Sequence, residues 1–191
     1  VNEANKYYDR KDYEDDGFAK GKQMHAPLVQ AMENFKAASS AFSDALEIEN
    51  DKLLAQERDH VEKTEGRKLR YWRMLTMAEA KQLTNIIAEE KFDIDKATAK
   101  LAEFEKAADE LAAYAKDHKD ELPTMWSMMD SSIESFRIAA KERVRRVRDK
   151  KSYSQSEIMR LNGSSGWTVD GSAEKLVRQY NELVGRSNST H

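Results

Sequence analysis

The apolar residues between Ile94 and His118 recur at steps that alternate strictly between three and four residues. Such spacing keeps them on one face of an α-helix and is typical of a coiled-coil seam. A helix with one apolar face is stable when that face packs against other helices. The spacing therefore predicts an all-α fold. The seam residues are Ile94, Ala97, Leu101, Phe104, Ala108, Leu111, Ala115 and His118.

Other segments show the same kind of spacing and predict further helices. They cover residues 18–64, 65–91, 126–147, 154–162 and 172–187. Because the breaks between them are short, neighbouring helices should be antiparallel. We therefore expect one domain, residues 1–191, folded as an elongated antiparallel up-down bundle of long helices. An acidic and aromatic segment, residues 1–16, precedes it, and a loop, residues 163–171, precedes the last helix.

A shared helical phase also predicts which residues form the core. The expected core residues are Trp72, Leu101, Phe104, Leu111, Trp126, Met129, Ile133 and Phe136. Asp95 is the expected N-cap of the seam helix, since its carboxylate can accept from the free amides of the first turn. Pro123 ends that helix region, because proline cannot continue a preceding helix.

The charge balance and the lack of cysteine exclude several classes of protein. The formal net charge is −3 at pH 7, so we expect no nucleic-acid partner, which would need a strongly basic surface. Zero cysteines exclude disulfides and thiolate chemistry. No apolar run reaches the length of a membrane span. No paired carboxylates, Ser-His-Asp order or nucleotide-binding motif is present, so we expect no enzyme, no catalytic residue and no cofactor.

Three patterns resemble parts of metal sites. Glu57 and His60 have the Glu-x-x-His spacing of di-iron bundles, but the chain has no second such motif. The run from Asp12 to Gly17 resembles the start of a calcium loop, but the twelfth position is Gln23, which cannot supply a bidentate carboxylate. His118 could be a ligand, although a half-buried histidine at a helix end is the simpler interpretation. We expect no metal site.

Residues 141–151, KERVRRVRDKK, form the strongest charged feature. A basic patch of this kind can hold phosphate, lipid head groups or nucleic acid. The alternative is that the basic residues fill the solvated faces at the end of a helix, where the helix dipole favours cations. We expect the alternative, because Val144 and Val147 continue the apolar stripe. The methionines near Trp126 are likewise expected to fill the core.

The two ends of the chain carry a more specific resemblance. Residues 6–25, KYYDRKDYEDDGFAKGKQMH, and residues 175–184, KLVRQYNELV, resemble the YiiG-type lipoproteins, a bacterial domain family of unknown function. The resemblance implies an all-helical, periplasmic envelope protein tethered by a lipid on an N-terminal cysteine. The chain has no cysteine, so such an anchor would lie upstream of Val1 or be absent, and we expect membrane contact only through it.

Aromatic residues outside the helical stripes are the expected binding surface, since tyrosine and tryptophan often anchor interfaces. The candidates are Tyr8, Tyr13, Trp167 and Tyr180, with Tyr7 and Phe18 beside them. Their expected partner is an envelope protein, a glycan or a lipid component. The other interpretation is that these rings pack together and merely seal the bundle. An alternative function is a periplasmic module that holds a small ligand or metal in a polar pocket between helices.

Overall fold

The structure is a computed structural model that describes residues 2–190, and those residues form eight α-helices and no strand. The helices are α1 (Asn2–Asp9), α2 (Tyr13–Asp16), α3 (Ala19–Glu65), α4 (Leu69–Ile87), α5 (Ile94–Asp117), α6 (Trp126–Arg148), α7 (Gln155–Leu161) and α8 (Ala173–Ser189). Short 3-10 turns occupy Lys119–Glu121 and Gly166–Thr168. The predicted all-α class is confirmed.

The chain divides into two compact units, one up to Glu57 and the other from Arg58 onwards. The division falls inside α3, which is helical from Ala19 to Glu65. The first unit holds α1, α2 and most of α3, and the second holds α4 to α8. The expected single domain stays a prediction.

The second unit is built around one apolar core between α4, α5, α6 and α8. Phe104 and Phe136 are fully buried at its centre, with ring centroids 5.0 Å apart in an edge-to-face arrangement. Seven of the eight predicted core residues are buried, and Trp72 is partly buried against the same cluster. The predicted core is therefore confirmed. Buried residues in the cluster include Ala80, Leu83, Ile87, Leu101, Phe104, Leu111, Met129, Ile133, Phe136, Leu176 and Leu183.

Ion pairs between α5 and α6 show that these two helices run antiparallel. Arg137 on α6 contacts Asp109 on α5 at 2.7 Å, and Lys141, one turn further along α6, contacts Glu105, one turn earlier on α5. Contacts that advance along one helix and recede along the other are those of antiparallel neighbours. Helices joined by short connections are expected to pack in this way. The predicted antiparallel arrangement is therefore confirmed for α5 and α6.

The ends of α5 differ slightly from the prediction. Asp93 is the N-cap instead of Asp95, and its carboxylate accepts from the backbone N–H of Lys96 at 2.9 Å. Asp93 has extended backbone, as an N-cap requires, whereas Asp95 lies within the first turn. At the other end, half-buried His118 stacks on Tyr114 with ring centroids 4.0 Å apart. This matches the simpler interpretation of His118 as a helix-end residue.

The prediction that the basic residues of 141–151 fill solvated faces is wrong for two arginines. Arg143 is buried and donates to the carbonyl oxygens of Ile87 (3.1 Å), Glu89 (2.8 Å) and Gly171 (3.2 Å). It thereby joins the end of α4 and the loop before α8 to α6. Buried carbonyls need donors, and one guanidinium can supply several.

Arg146, the second of these arginines, is also buried and pairs with Glu157 at 2.7 Å. Glu157 closes a capping box with Ser154 at the start of α7. The hydrogen bonds from Ser154, helped by Arg146, lower the pKa of Glu157 to about 2. Arg145, Arg148 and the lysines that follow are exposed, as predicted.

The helix α3 forms as predicted, but its apolar face is not buried. Met32, Phe35 and Phe42 are 63%, 75% and 69% exposed. Leu46 and Leu53 on the same face are also exposed. Helical spacing shows which face is apolar and cannot show what covers it. Among the described residues, nothing packs over this face.

Candidate binding surface

The N-terminal residues, predicted only as an acidic and aromatic segment, form a folded joint with the start of α3. The buried ring of Tyr7 on α1 lies beside the start of α3, and its hydroxyl donates to Oδ1 of Asp16 at 2.6 Å. The other carboxylate oxygen, Oδ2, accepts from the backbone N–H of Lys20 at 3.0 Å. Asp16 therefore connects α1 to the first turn of α3.

The electrostatics of this pair follow from burial and hydrogen bonding. Burial of the hydroxyl and its bond to the Asp16 carboxylate raise the pKa of Tyr7 to about 12. The hydrogen bond from Tyr7, together with those from backbone amides, lowers the pKa of Asp16. A neutral phenol and an ionised carboxylate are thus the paired forms around neutral pH. The acidic run therefore supplies a structural acceptor here.

Two glycines shape the joint. Gly17 ends α2 in the left-handed region at φ 57°, which glycine adopts at little cost, and Phe18 follows at φ 66°. Gly21 lies against the rings of α1: a Cβ there would be 3.1 Å from the Tyr8 hydroxyl and 3.2 Å from Cε1 of Tyr7. Glycine is needed at this position for the helices to approach so closely.

Three aromatic rings lie around this joint and reach solvent; we call Tyr8, Tyr13 and Phe18 the aromatic patch. Tyr13 stacks on Phe18 with ring centroids 4.9 Å apart and 15° between the planes. The ring centroids of Tyr8 and Tyr13 are 6.1 Å apart. Tyr8 is 47% and Phe18 48% exposed, and Tyr13 is half-buried. Tyr7 seals the joint, while the patch presents ring surface to water.

The remaining predicted binding residues lie in the second unit and differ from each other. Trp167, in the short turn before α8, is 43% exposed, and the Arg178 guanidinium lies 3.8 Å over its ring. Tyr180 is half-buried and packs on the core, 6.0 Å from Phe136. Trp167 is therefore a surface residue, whereas Tyr180 supports the fold. A surface shared by the tyrosines and Trp167 stays a prediction.

The residues with metal-like spacing make ordinary helical contacts. Glu57 and His60 are exposed on α3, and the carbonyl of His60 accepts from the Thr64 hydroxyl at 2.8 Å. Between residues 2 and 190, no group of three or more His, Cys, Asp or Glu is arranged to hold an ion. No helix in that range is both long and apolar enough to cross a membrane.

Sequence reasoning missed the Tyr7–Asp16 bond and the role of Arg143. The Tyr7–Asp16 bond joins residues nine apart through a segment with positive φ values, and helical periodicity does not indicate such a contact. The role of Arg143, in contrast, was indicated by its position in the sequence. Arg143 follows Phe136 by seven residues and Ala140 by three, so it continues the buried stripe. A charged residue in such a position indicates a buried charge with partners.

A family model matches residues 1–189, and its description reads "Protein of unknown function (DUF3829)". The chain is similar to an uncharacterized protein, YiiG, of Escherichia coli strain K12, with 35% identity over 190 residues. That match covers 99% of the chain and 52% of the relative, so the chain spans about half the length of YiiG. No solved structure matches the chain.

Proposed function

The chain belongs to the DUF3829 family, whose function is unknown, and we propose that it is a non-enzymatic binding protein of the bacterial cell envelope. The partner is bound on the aromatic patch of Tyr8, Tyr13 and Phe18. The observation that carries this proposal is ring surface exposed on a fixed base. Tyr7, Asp16 and Gly21 hold the base, so the rings lose little freedom on binding.

Charges around the patch narrow the chemistry of the partner. Residues 6–22, which contain the patch, carry five carboxylates and five basic side chains. The charge around the patch is therefore balanced, and the exposed rings supply its main attraction. A neutral glycan, whose apolar sugar faces stack on aromatic rings, fits such a surface.

The envelope location is supported by the resemblance of both chain ends to YiiG-type lipoproteins. A lipid on a cysteine outside these 191 residues would place the protein at a membrane surface. The non-enzymatic role is supported by the lack of any catalytic motif in the sequence. The apolar core of leucine, phenylalanine and alanine favours surface binding over an internal pocket.

A second candidate function, binding of a small ligand, is favoured by one groove in the second unit. The groove lies between α4 and α5 and has a volume of about 260 Å³. Tyr71 and Trp72 line one side, with Arg67 over their rings at 5.4 and 5.9 Å. Glu103 and Glu110 line the other. A ligand there should change tryptophan fluorescence, and a Trp72→Phe variant should lose that change.

The test of the main proposal is capture from an envelope extract on the immobilised full chain. Mass spectrometry of bound proteins and small molecules identifies the partner. Replacing Tyr8, Tyr13 and Trp167 singly with alanine separates binding from sealing. We expect Tyr8→Ala to keep the helical circular dichroism signal and to lose the partner.

The matched control is Tyr114→Ala, which removes a tyrosine from α5, outside the patch. It should retain the partner. The sealing interpretation predicts the opposite pattern for the patch: Tyr8→Ala and Tyr13→Ala would lower thermal stability while the partner is still captured. Loss of the partner only in Trp167→Ala would move the site to the second unit.

A further inference from the structure

The exposed face of α3 has the pattern of a dimerisation helix. Its residues follow at steps that alternate strictly between four and three, which defines a heptad seam over 26 residues, or about 39 Å. Six of the eight positions are large and apolar. The seam positions are Leu28, Met32, Phe35, Ser39, Phe42, Leu46, Glu49 and Leu53. We call this set the α3 seam.

The exposed seam supplies apolar area for an interface. Apart from half-buried Leu28, the large seam side chains are between 49% and 75% exposed. Phe35 and Phe42 alone expose on the order of 200 Å² of ring surface per copy, and the other apolar seam residues add to it, towards the roughly 800 Å² per partner of a standard interface. Ala31, Ala38 and Ala45 repeat every seven residues beside the seam and allow close helix approach.

Charge along α3 favours a second copy in the opposite direction. Residues 19–37 carry three lysines and one glutamate, whereas residues 38–57 carry five carboxylates and one lysine. An antiparallel pair places the basic half of each helix beside the acidic half of the other. A parallel pair would place acidic halves together and set Glu49 against its own copy in the seam. We infer that the chain forms an antiparallel homodimer through the α3 seam.

One register satisfies this arrangement. Antiparallel coiled coils alternate the two kinds of seam position across the interface. Pairing Leu28 with Leu53 of the second copy also pairs Phe35 with Leu46 and Ser39 with Phe42. Glu49 then faces Met32, at a position where its carboxylate can extend to solvent. This register places large side chains opposite each other at both ends of the seam.

The first experiment is sedimentation equilibrium of the full chain between about 1 and 100 μM. We expect the mass of a dimer across most of this range. The double variant Phe35→Glu/Phe42→Glu should sediment as a monomer, because it places four like charges in the seam. Ala37→Glu, on the opposite, exposed face of the same helix, should leave the dimer unchanged. Wild-type protein that stays monomeric at 100 μM would overturn the inference.

A folding control shows whether the Phe35→Glu/Phe42→Glu variant is still folded. Its second unit should retain the unfolding midpoint reported by Trp72 and Trp126, which lie in that unit. If this midpoint is unchanged and the variant still sediments as a dimer, the seam is not the interface. If the midpoint falls, the milder variant Phe35→Ala should still raise the dimer dissociation constant at least tenfold, and an unchanged constant would also overturn the inference.

Disulfide cross-linking then tests whether the two α3 helices run antiparallel. The chain has no native cysteine, so only the introduced cysteines can form a disulfide. Chains with Leu28→Cys and chains with Leu53→Cys, tagged to differ in mass, are mixed and oxidised. The antiparallel register predicts mixed disulfides between the two kinds of chain and few within either. Disulfides between two Leu28→Cys chains would overturn the antiparallel arrangement.

Discussion

The hydroxyl of Tyr7 donates a 2.6 Å hydrogen bond to Asp16, whose other oxygen accepts from the backbone N–H of Lys20. One carboxylate therefore holds α1 on α3 and also serves a free amide in the first turn of α3. This small joint supports the ring surface on which we expect a partner to bind. Its stability should consequently depend on pH at both extremes.

The first prediction concerns that pH dependence. The pKa of Tyr7 is raised from 10.0 to about 12, so its contribution to stability is complete below pH 10 and is lost as the pH rises towards 12. The pKa of Asp16 is lowered from 3.8, so its contribution is complete above that value and is lost as the pH falls below it. The protection factor of the Lys20 amide, which is its intrinsic exchange rate at each pH divided by the observed rate, should fall at both extremes. Tyr7→Phe should remove the alkaline change, and an unaltered profile would contradict the assignment.

The second prediction concerns Gly21. The Cβ of an alanine there would lie 3.2 Å from the buried Tyr7 ring, closer than ordinary van der Waals contact, so we expect Gly21→Ala to destabilise the first unit by about 1–3 kcal/mol. The matched control is Gly185→Ala in α8, where a Cβ meets nothing within 4 Å. That change should stabilise its helix by about 0.5–1 kcal/mol. Thermal denaturation followed at 222 nm measures both, and equal shifts would refute the close approach.

The third prediction concerns the core of the second unit. Phe104 is fully buried against Phe136, so Phe104→Ala should lower the free energy of unfolding by about 3–5 kcal/mol. Urea denaturation followed by tryptophan fluorescence measures the loss. A loss below about 1 kcal/mol would place Phe104 outside the core.

The fourth prediction concerns Arg143, which donates to three backbone carbonyls. Arg143→Met keeps much of the volume but leaves those carbonyls without their donor, and we expect a loss of about 3 kcal/mol. Exposed Arg145 on the same helix is the control, and Arg145→Met should change the stability by less than about 0.5 kcal/mol. Chemical denaturation measures the free energy of unfolding of both variants. Equal losses in the two would contradict a stabilising role for the hydrogen bonds of buried Arg143.

The limits of sequence reasoning differ from element to element. The bounds of α5 could be predicted closely, because strict spacing and a following proline act locally. The core pair Phe104 and Phe136 followed from helical phase. The N-cap was misplaced by two residues, since both Asp93 and Asp95 can cap and only backbone geometry distinguishes them. For α3, periodicity identified the apolar face correctly but could not reveal that it is exposed.

The candidate surface was predictable in part. Residue type alone selected Tyr8 and Tyr13, because tyrosines outside an apolar stripe have no core role to play. Their arrangement around Tyr7 and Asp16 depends on the positive φ of Phe18, which is uncommon outside glycine and gives no signal in the sequence. Tyr180 was selected on the same grounds as Tyr8, yet it packs on the core. Residue type alone does not distinguish a tyrosine exposed for binding from one that packs on the core.

Tyrosine footprinting in the presence of the captured partner tests most directly whether the partner binds at the aromatic patch. Tyr8 and Tyr13 are acetylated with N-acetylimidazole, and the rate at each site is read by mass spectrometry. We expect the partner to slow modification of both tyrosines at least fivefold, while Tyr114 on α5 is modified at an unchanged rate. Equal rates at Tyr8 and Tyr13 with and without the bound partner would contradict binding at the aromatic patch.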